Sequence, residues 1–280
     1  RKAENWKGPK DSLRGSSGPL RTAYGRYKME LFDAFIAAGQ QAGFPFNADY
    51  NGAEQEGFVY TQYTHMHGFP MRCSAARGYL WPAMKRKNLT VWTGAFVQRL
   101  VLDGRRARKV EVLVNGEARS VVTEREVILS AGAYQSPQLL MLSGIGDPTE
   151  LGRHGIACLH PLKGVGKNLQ DHLSVGVEYE RNGDGPFVGH LRFDAIALAM
   201  AQAYFFGTGF AIEMPGPVSG FFKTNASLRQ PDIQLLTRLV PPESQPWFPG
   251  IRPRPRDAFM CRPVILHPES RGELRLRSAD

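Results

Sequence analysis

The sequence predicts a mixed α/β fold, on three observations. Short Val- and Leu-rich runs separated by Asp103-Gly104 and Asn115-Gly116 predict a strand meander, because these dipeptides favour the tight turns of hairpins. "ELFDAFIAAGQQAGF" places Leu31, Phe32, Phe35, Ile36 and Ala38 at helical spacing. Arg125–Gly146, "REVILSAGAYQSPQLLMLSGIG", runs from an apolar stretch through Ala131-Gly132-Ala133 into a second apolar run. That order is the strand, turn and helix of an open α/β sheet.

Along the chain, Gly8–Leu20 is loop by its Gly, Ser and Pro content, and the helix of residues 30–44 closes at Gly43 and Pro45. "CSAARGYLWPA" reads as a short helix capped near Ser74. "NLTVW" reads as a strand, the meander as residues 96–122, and "EVILS" as a strand buried on both faces, since Val127, Ile128 and Leu129 are uninterrupted. Ser136 is expected to cap the next helix, with Pro137 in its first turn, where a missing N–H costs nothing. "PTELGRHG" is a short helix and "GVGKNLQDH" a glycine-rich loop. "LSVGVEYE" is a strand and "LRFDAIALAMAQAYFFG" a helix. "PPESQPWFPGIRPRPRD" is a long exposed or ligand-covering loop, with strand-like sequence resuming after it.

With 280 residues, 42% of them hydrophobic, the chain can bury a sizeable core in one or two domains. Its apolar runs fall short of the ~20 residues of a membrane span. Three separated cysteines write no disulfide framework and fit a reducing, cytoplasmic setting, with peripheral membrane association left open. The formal charge of +9 is spread along the chain without a nucleic-acid recognition motif, so a nucleic-acid partner is not expected. His65-Met66-His67 has two-ligand spacing but no third ligand nearby, so no metal is expected. A hydrolase elbow of G-x-S-x-G type is absent. Phe205, Phe206, Phe210, Phe221 and Phe222 could line a substrate pocket or pack a core.

"GAYQSPQLLMLSGIG" resembles the second signature of the glucose-methanol-choline (GMC) family of flavin oxidoreductases: a small residue, Ser-Pro, two aliphatics, then Ser-Gly-aliphatic-Gly. "RCSAARGYLWPA", "NLTVWTGAFVQRLVLDGRRA", "GVGKNLQDH" and "LHPESRGELRLRSAD" follow in the family's order, so the resemblance covers essentially the whole chain. Its flavour is that of choline dehydrogenase-like and alcohol dehydrogenase-like members.

The resemblance implies a Rossmann-like FAD-binding part, incomplete here, and a substrate part with an antiparallel sheet and flanking helices. It implies FAD-dependent oxidation of an alcohol to an aldehyde or ketone by hydride transfer to flavin, with oxygen or a quinone as acceptor. Expected cofactor contacts are Val97, whose backbone would meet the adenine, and Ser130, Ala131 and Gly132 at the end of the apolar strand. Residues 1–48 and 172–280 are expected in the substrate part and 49–155 in the flavin part, with 156–171 as an interface loop. Asn168, Asp171 and His172 in that loop read as turn-fixing residues.

The chain has no G-x-G-x-x-G loop for the pyrophosphate. The proton-abstracting histidine is expected downstream of residue 280. On that reading the chain is the middle of such an enzyme and should not turn over alone. The alternative is a non-catalytic scaffold that keeps the fold without the cofactor.

Overall fold

The computed structural model describes residues 1–67, 71–181, 185–212 and 218–279. The chain opens with β1 (Glu4–Trp6), β2 (Leu20–Tyr24), α1 (Glu30–Gln41), β3 (Gly57–Tyr60) and β4 (Gln62–Thr64). A π-helical turn (Ala76–Leu80) runs into the single turn α2 (Trp81–Ala83). The meander follows as β5 (Ala95–Asp103), β6 (Arg106–Val114) and β7 (Glu117–Val122), then α3 (Gly132–Leu142), β8 (Ile145–Gly146), α4 (Pro148–Arg153) and β9 (His160–Pro161). Beyond these come β10 (Val177–Glu180), α5 (Pro186–His190), α6 (Phe193–Phe206), β11 (Val218–Phe222), β12 (Ile233–Arg238) and β13 (Ala258–Ile265).

Two compact units result, each built from two stretches of chain. One comprises Arg1–Lys87 and His172–His267, the other Asn88–Asp171 and Pro268–Asp280.

The first unit is organised by a five-stranded antiparallel sheet of order β10-β13-β12-β11-β3. The apolar stripe of α1 buries Phe32 and Ile36 against Phe58, Val218 and Leu239. Full burial of a side chain such as Phe32 stabilises by about 2–3 kcal/mol. The helix approaches β3 closely because residue 39 is glycine: a Cβ there would lie 2.1 Å from the Phe58 ring.

A charged knot lies in the same unit. Arg14, almost fully buried, donates to Glu4 Oε1 (2.6 Å), Asp49 Oδ1 (2.6 Å) and Gln62 Oε1 (3.1 Å), and its guanidinium sits 3.8 Å from the centre of the Trp6 ring. The hydrogen bond from Arg14, helped by the Gly15 N–H and the Thr22 hydroxyl, holds the Glu4 carboxyl down at about 2 against the opposing effect of burial.

The second unit holds the meander, with strand order β5-β6-β7. The turns fall at Gly104 and at Asn115-Gly116, all at positive φ, as the two dipeptides predict. Its small core joins Met141 and Leu151 to Leu276.

The unit boundaries differ from the expected ones. β3 pairs antiparallel with β11, which draws residues 49–87 into the first unit. Leu274 donates its N–H to Gly166 O (2.7 Å) and Leu276 packs on Met141, which draws 268–280 into the second.

Local expectations were also corrected. "NLTVW" forms no strand. "EVILS" is not a buried strand: residues 125–130 are in no ladder and Ile128 is 78% exposed. An apolar run records that a segment is suited to burial but not what would bury it, and no described strand pairs with this one. Helix α3 begins at Gly132, four residues before the expected cap, with Pro137 inside it. Ser136 still satisfies the helix start from within, its Oγ accepting the Ala131 N–H at 3.1 Å.

Candidate functional site

Strand β5 has β6 on one side, and among the described residues no strand pairs with its other edge. Its register slips between Val97 and Arg99 and again between Val101 and Leu102. Such slips bend a strand and re-aim its side chains. Helix α3 meets the open edge. Ser143, just past its last turn, accepts the Leu100 N–H at 2.8 Å and donates to Leu139 O at 2.6 Å. Ser143 is buried, and its hydroxyl both accepts and donates.

Between β5 and α3 lies a cavity of about 1140 Å³. Its wall includes Val97, Arg99, Ala131, Gln135, Gln138 and Ala157. Small and aliphatic groups offer a flat apolar surface, and the glutamines supply donors and acceptors, the mixture that ligand pockets use. Arg99 Nε donates to Glu111 Oε2 at 2.5 Å across the hairpin, and both residues line the cavity. That hydrogen bond raises the Arg99 guanidinium and lowers the Glu111 carboxyl, so both stay charged. Gly132 opens α3 at φ 87°, with nothing within 4 Å of where a Cβ would stand.

Of the four residues expected at the cofactor, the fold brings Val97 and Ala131 to one cavity. Ser130 and Gly132 flank Ala131 in sequence and are exposed, but are not part of its wall. The aromatic residues do not gather into one pocket: Phe205 and Phe206 are exposed, Phe210 stacks on His190, Phe221 stacks on Tyr50, and Phe222 packs on Phe44 and Phe58. His67 Nε2 lies 3.2 Å from Thr22 O, and no group of three metal-ligating residues occurs among the described residues. Asn168 adopts φ 61°, a turn conformation that Asn tolerates.

Sequence reasoning missed Ser143 and the Arg99–Glu111 pair as parts of the site. The hairpin turn was only a partial signal for the pair: a regular turn at Asp103-Gly104 would set residue 99 opposite 108, and it is the closure at Asp103–Arg106 with the register slip between Val101 and Leu102 that brings 99 opposite 111. Nothing local marks Ser143 as the partner of Leu100.

A sequence profile described as GMC oxidoreductase matches residues 4–174, more than half of the chain and the whole of this cavity apart from Ala279. The chain belongs to the GMC oxidoreductase family. This GMC chain is 38% identical over 292 aligned positions to the oxygen-dependent choline dehydrogenase of Photobacterium profundum, covering 100% of the chain and 49% of that protein. It is 36% identical to the oxygen-dependent choline dehydrogenase of Brucella anthropi, covering 100% of itself and 50% of the relative. The crystal structure of pyridoxine 4-oxidase from Mesorbium loti superposes with a TM-score of 0.80 at 29% identity, over 100% of the GMC chain and 50% of the other. The GMC chain thus spans about half the length of the relatives it matches. No helix among the described residues is long and apolar enough to cross a membrane.

Proposed function

We propose that this GMC chain forms part of an FAD-dependent oxidoreductase that converts an alcohol to an aldehyde or ketone. The observation that carries the reading is the β5–α3 cavity, in which Val97 and Ala131, 34 positions apart in sequence, share one wall. Family membership supports it, as do relatives named for the oxidation of choline and of pyridoxine.

The residues present fit the adenosine end of FAD. The cavity volume exceeds the ~300–1,000 Å³ of typical small-molecule pockets. Val97 and Ala131 would hold the flat base, with the Val97 backbone at the adenine. Ser130 and Gly132, at the start of α3, would lie toward the sugar and phosphate, where bulk would block close approach. FAD, when bound, supplies the hydride acceptor. The chain's own part is to hold the adenosine end and shield it from water. The second unit is then the flavin-binding part. The first unit, with its antiparallel sheet and α1, is the substrate part. Oxygen or a quinone-type compound is the final acceptor, and the setting is cytoplasmic.

The test uses the full-length natural protein. Purified protein should carry flavin absorbance that is bleached by a primary or secondary alcohol without oxygen. Ala131→Trp should lower bound FAD per polypeptide while the far-ultraviolet circular dichroism is unchanged. Full FAD content in Ala131→Trp would refute the placement. Flavin-free wild-type protein would favour the non-catalytic scaffold.

A further inference from the structure

Leu100 sits between the two register slips of β5, one between Val97 and Arg99 and the other between Val101 and Leu102. A strand bends where its ladder slips, because a residue there loses its partner. With β6 on one side and, among the described residues, no strand on the other, a single ladder holds this stretch. Its outer edge is fastened at Leu100, whose N–H donates to Ser143 Oγ at 2.8 Å.

The fastening belongs to a corner where three walls of the cavity meet. Ser143 Oγ donates onward to Leu139 O of α3 at 2.6 Å. Gly144 then turns the chain at φ 80°, and its carbonyl accepts the N–H groups of Leu159 (2.8 Å) and His160 (3.1 Å). A Cβ at residue 144 would stand 2.6 Å from Ala157 O, so glycine lets the 155–159 segment close in. Strand β5, helix α3 and that segment all line the cavity. Val97 lies three residues from the fastened amide, across one slip.

A serine hydroxyl suits the corner because it accepts from an amide and donates to a carbonyl at once. Alanine does neither, and the Leu100 amide would then turn toward water rather than stay buried without a partner.

We propose that Ser143 is a positioning residue for the adenosine end of the cofactor, holding Val97 in place through Leu100. The inference rests on reading the β5–α3 cavity as the adenosine site. Ser143 itself needs no contact with the cofactor, since its hydroxyl is committed to Leu100 and Leu139.

The experiment measures binding of ADP to the full-length protein stripped of flavin, by titration calorimetry, together with hydrogen exchange at the Leu100 amide. The parent protein should bind ADP, and Ala131→Trp should abolish binding. Ser143→Ala should weaken ADP by about fivefold to tenfold and speed exchange at Leu100. Ser143→Cys, whose sulfur bonds more weakly, should fall between the two and serves if the alanine variant folds poorly. Leu276→Ala removes a side chain from the core of the same unit, away from the cavity wall. It should lower the melting temperature and leave ADP affinity unchanged. Parent-like ADP affinity in both Ser143 variants would overturn the positioning role while the adenosine site stands. Equal weakening in Leu276→Ala would overturn it as well, by assigning the loss to general destabilisation. A parent protein that binds no ADP, or binding untouched by Ala131→Trp, would instead remove the adenosine site and this inference with it.

Discussion

Ser143 and Leu100 are joined by a hydrogen bond of 2.8 Å, the Leu100 N–H donating to the Ser143 hydroxyl. That hydroxyl in turn donates to Leu139 O at 2.6 Å. One buried side chain thereby replaces the missing neighbour of an edge strand and fixes the end of α3 beside it. The position of both cavity walls depends on this tie. Ser143→Ala leaves the Leu100 N–H without its partner and should cost about 1–3 kcal/mol. Urea denaturation measures it, and a loss much under 1 kcal/mol would show that the tie is dispensable.

The Arg14 knot sets an acid limit on the first unit. Glu4 titrates at about 2 in the folded chain against 4.5 ordinarily, so the folded state favours its charged form. That contribution is complete above pH 4.5. It declines as the pH falls from there toward about 2, and is gone below. Glu4→Gln should therefore flatten the dependence of stability on pH in this window and leave the profile above it parallel to that of the parent chain. Thermal melts at successive pH values read this directly.

Removal of the guanidinium is expected to be worse than loss of either acid. Arg14→Ala leaves Glu4 and Asp49 facing one another, each about one-fifth exposed. Breaking a largely buried pair costs about 3–5 kcal/mol, and the residual exposure of the acids puts the expectation at the lower end, about 3 kcal/mol. Chemical denaturation checks it. A loss below about 1 kcal/mol would mean that water replaces the arginine at little cost.

Two glycines should fail in different ways. Gly132→Ala meets no atom within 4 Å, so its cost is the backbone strain of φ 87°, about 1–2 kcal/mol. Gly39→Ala has an ordinary helical backbone but drives a Cβ into the Phe58 ring, an overpacking worth about 1–3 kcal/mol. Adding Phe58→Leu should restore part of the Gly39→Ala loss and none of the Gly132→Ala loss. A double-mutant cycle on melting data separates the two.

The core of the first unit gives a larger effect. Phe32 is 2% exposed, between α1 and the sheet, and Phe32→Ala should cost about 3–5 kcal/mol. Exposed aromatic residues such as Phe206 should show none of this on truncation to alanine.

What the sequence determined by itself was local. The dipeptides at 103–104 and 115–116 placed the meander, because φ > 0 is a property of Gly104, Asn115 and Gly116 themselves; the first turn falls one residue later, at 104–105, since Asp103 closes β5 against Arg106. The apolar spacing in residues 31–38 placed α1 and the face it buries. The signature from Gly132 to Gly146 placed the family. Tertiary structure decided the rest, because it depended on partners far along the chain. Val127–Leu129 is apolar enough for a central strand, yet a strand exists only where another pairs with it. Ser136 and Pro137 carry helix-start chemistry, but α3 starts at Gly132, with Ser136 inside it accepting the Ala131 N–H. The union of Val97 with Ala131 in one cavity, and the choice of Ser143 as partner for Leu100, needed the fold. A hydrogen bond across 43 residues leaves no periodicity for a sequence to display.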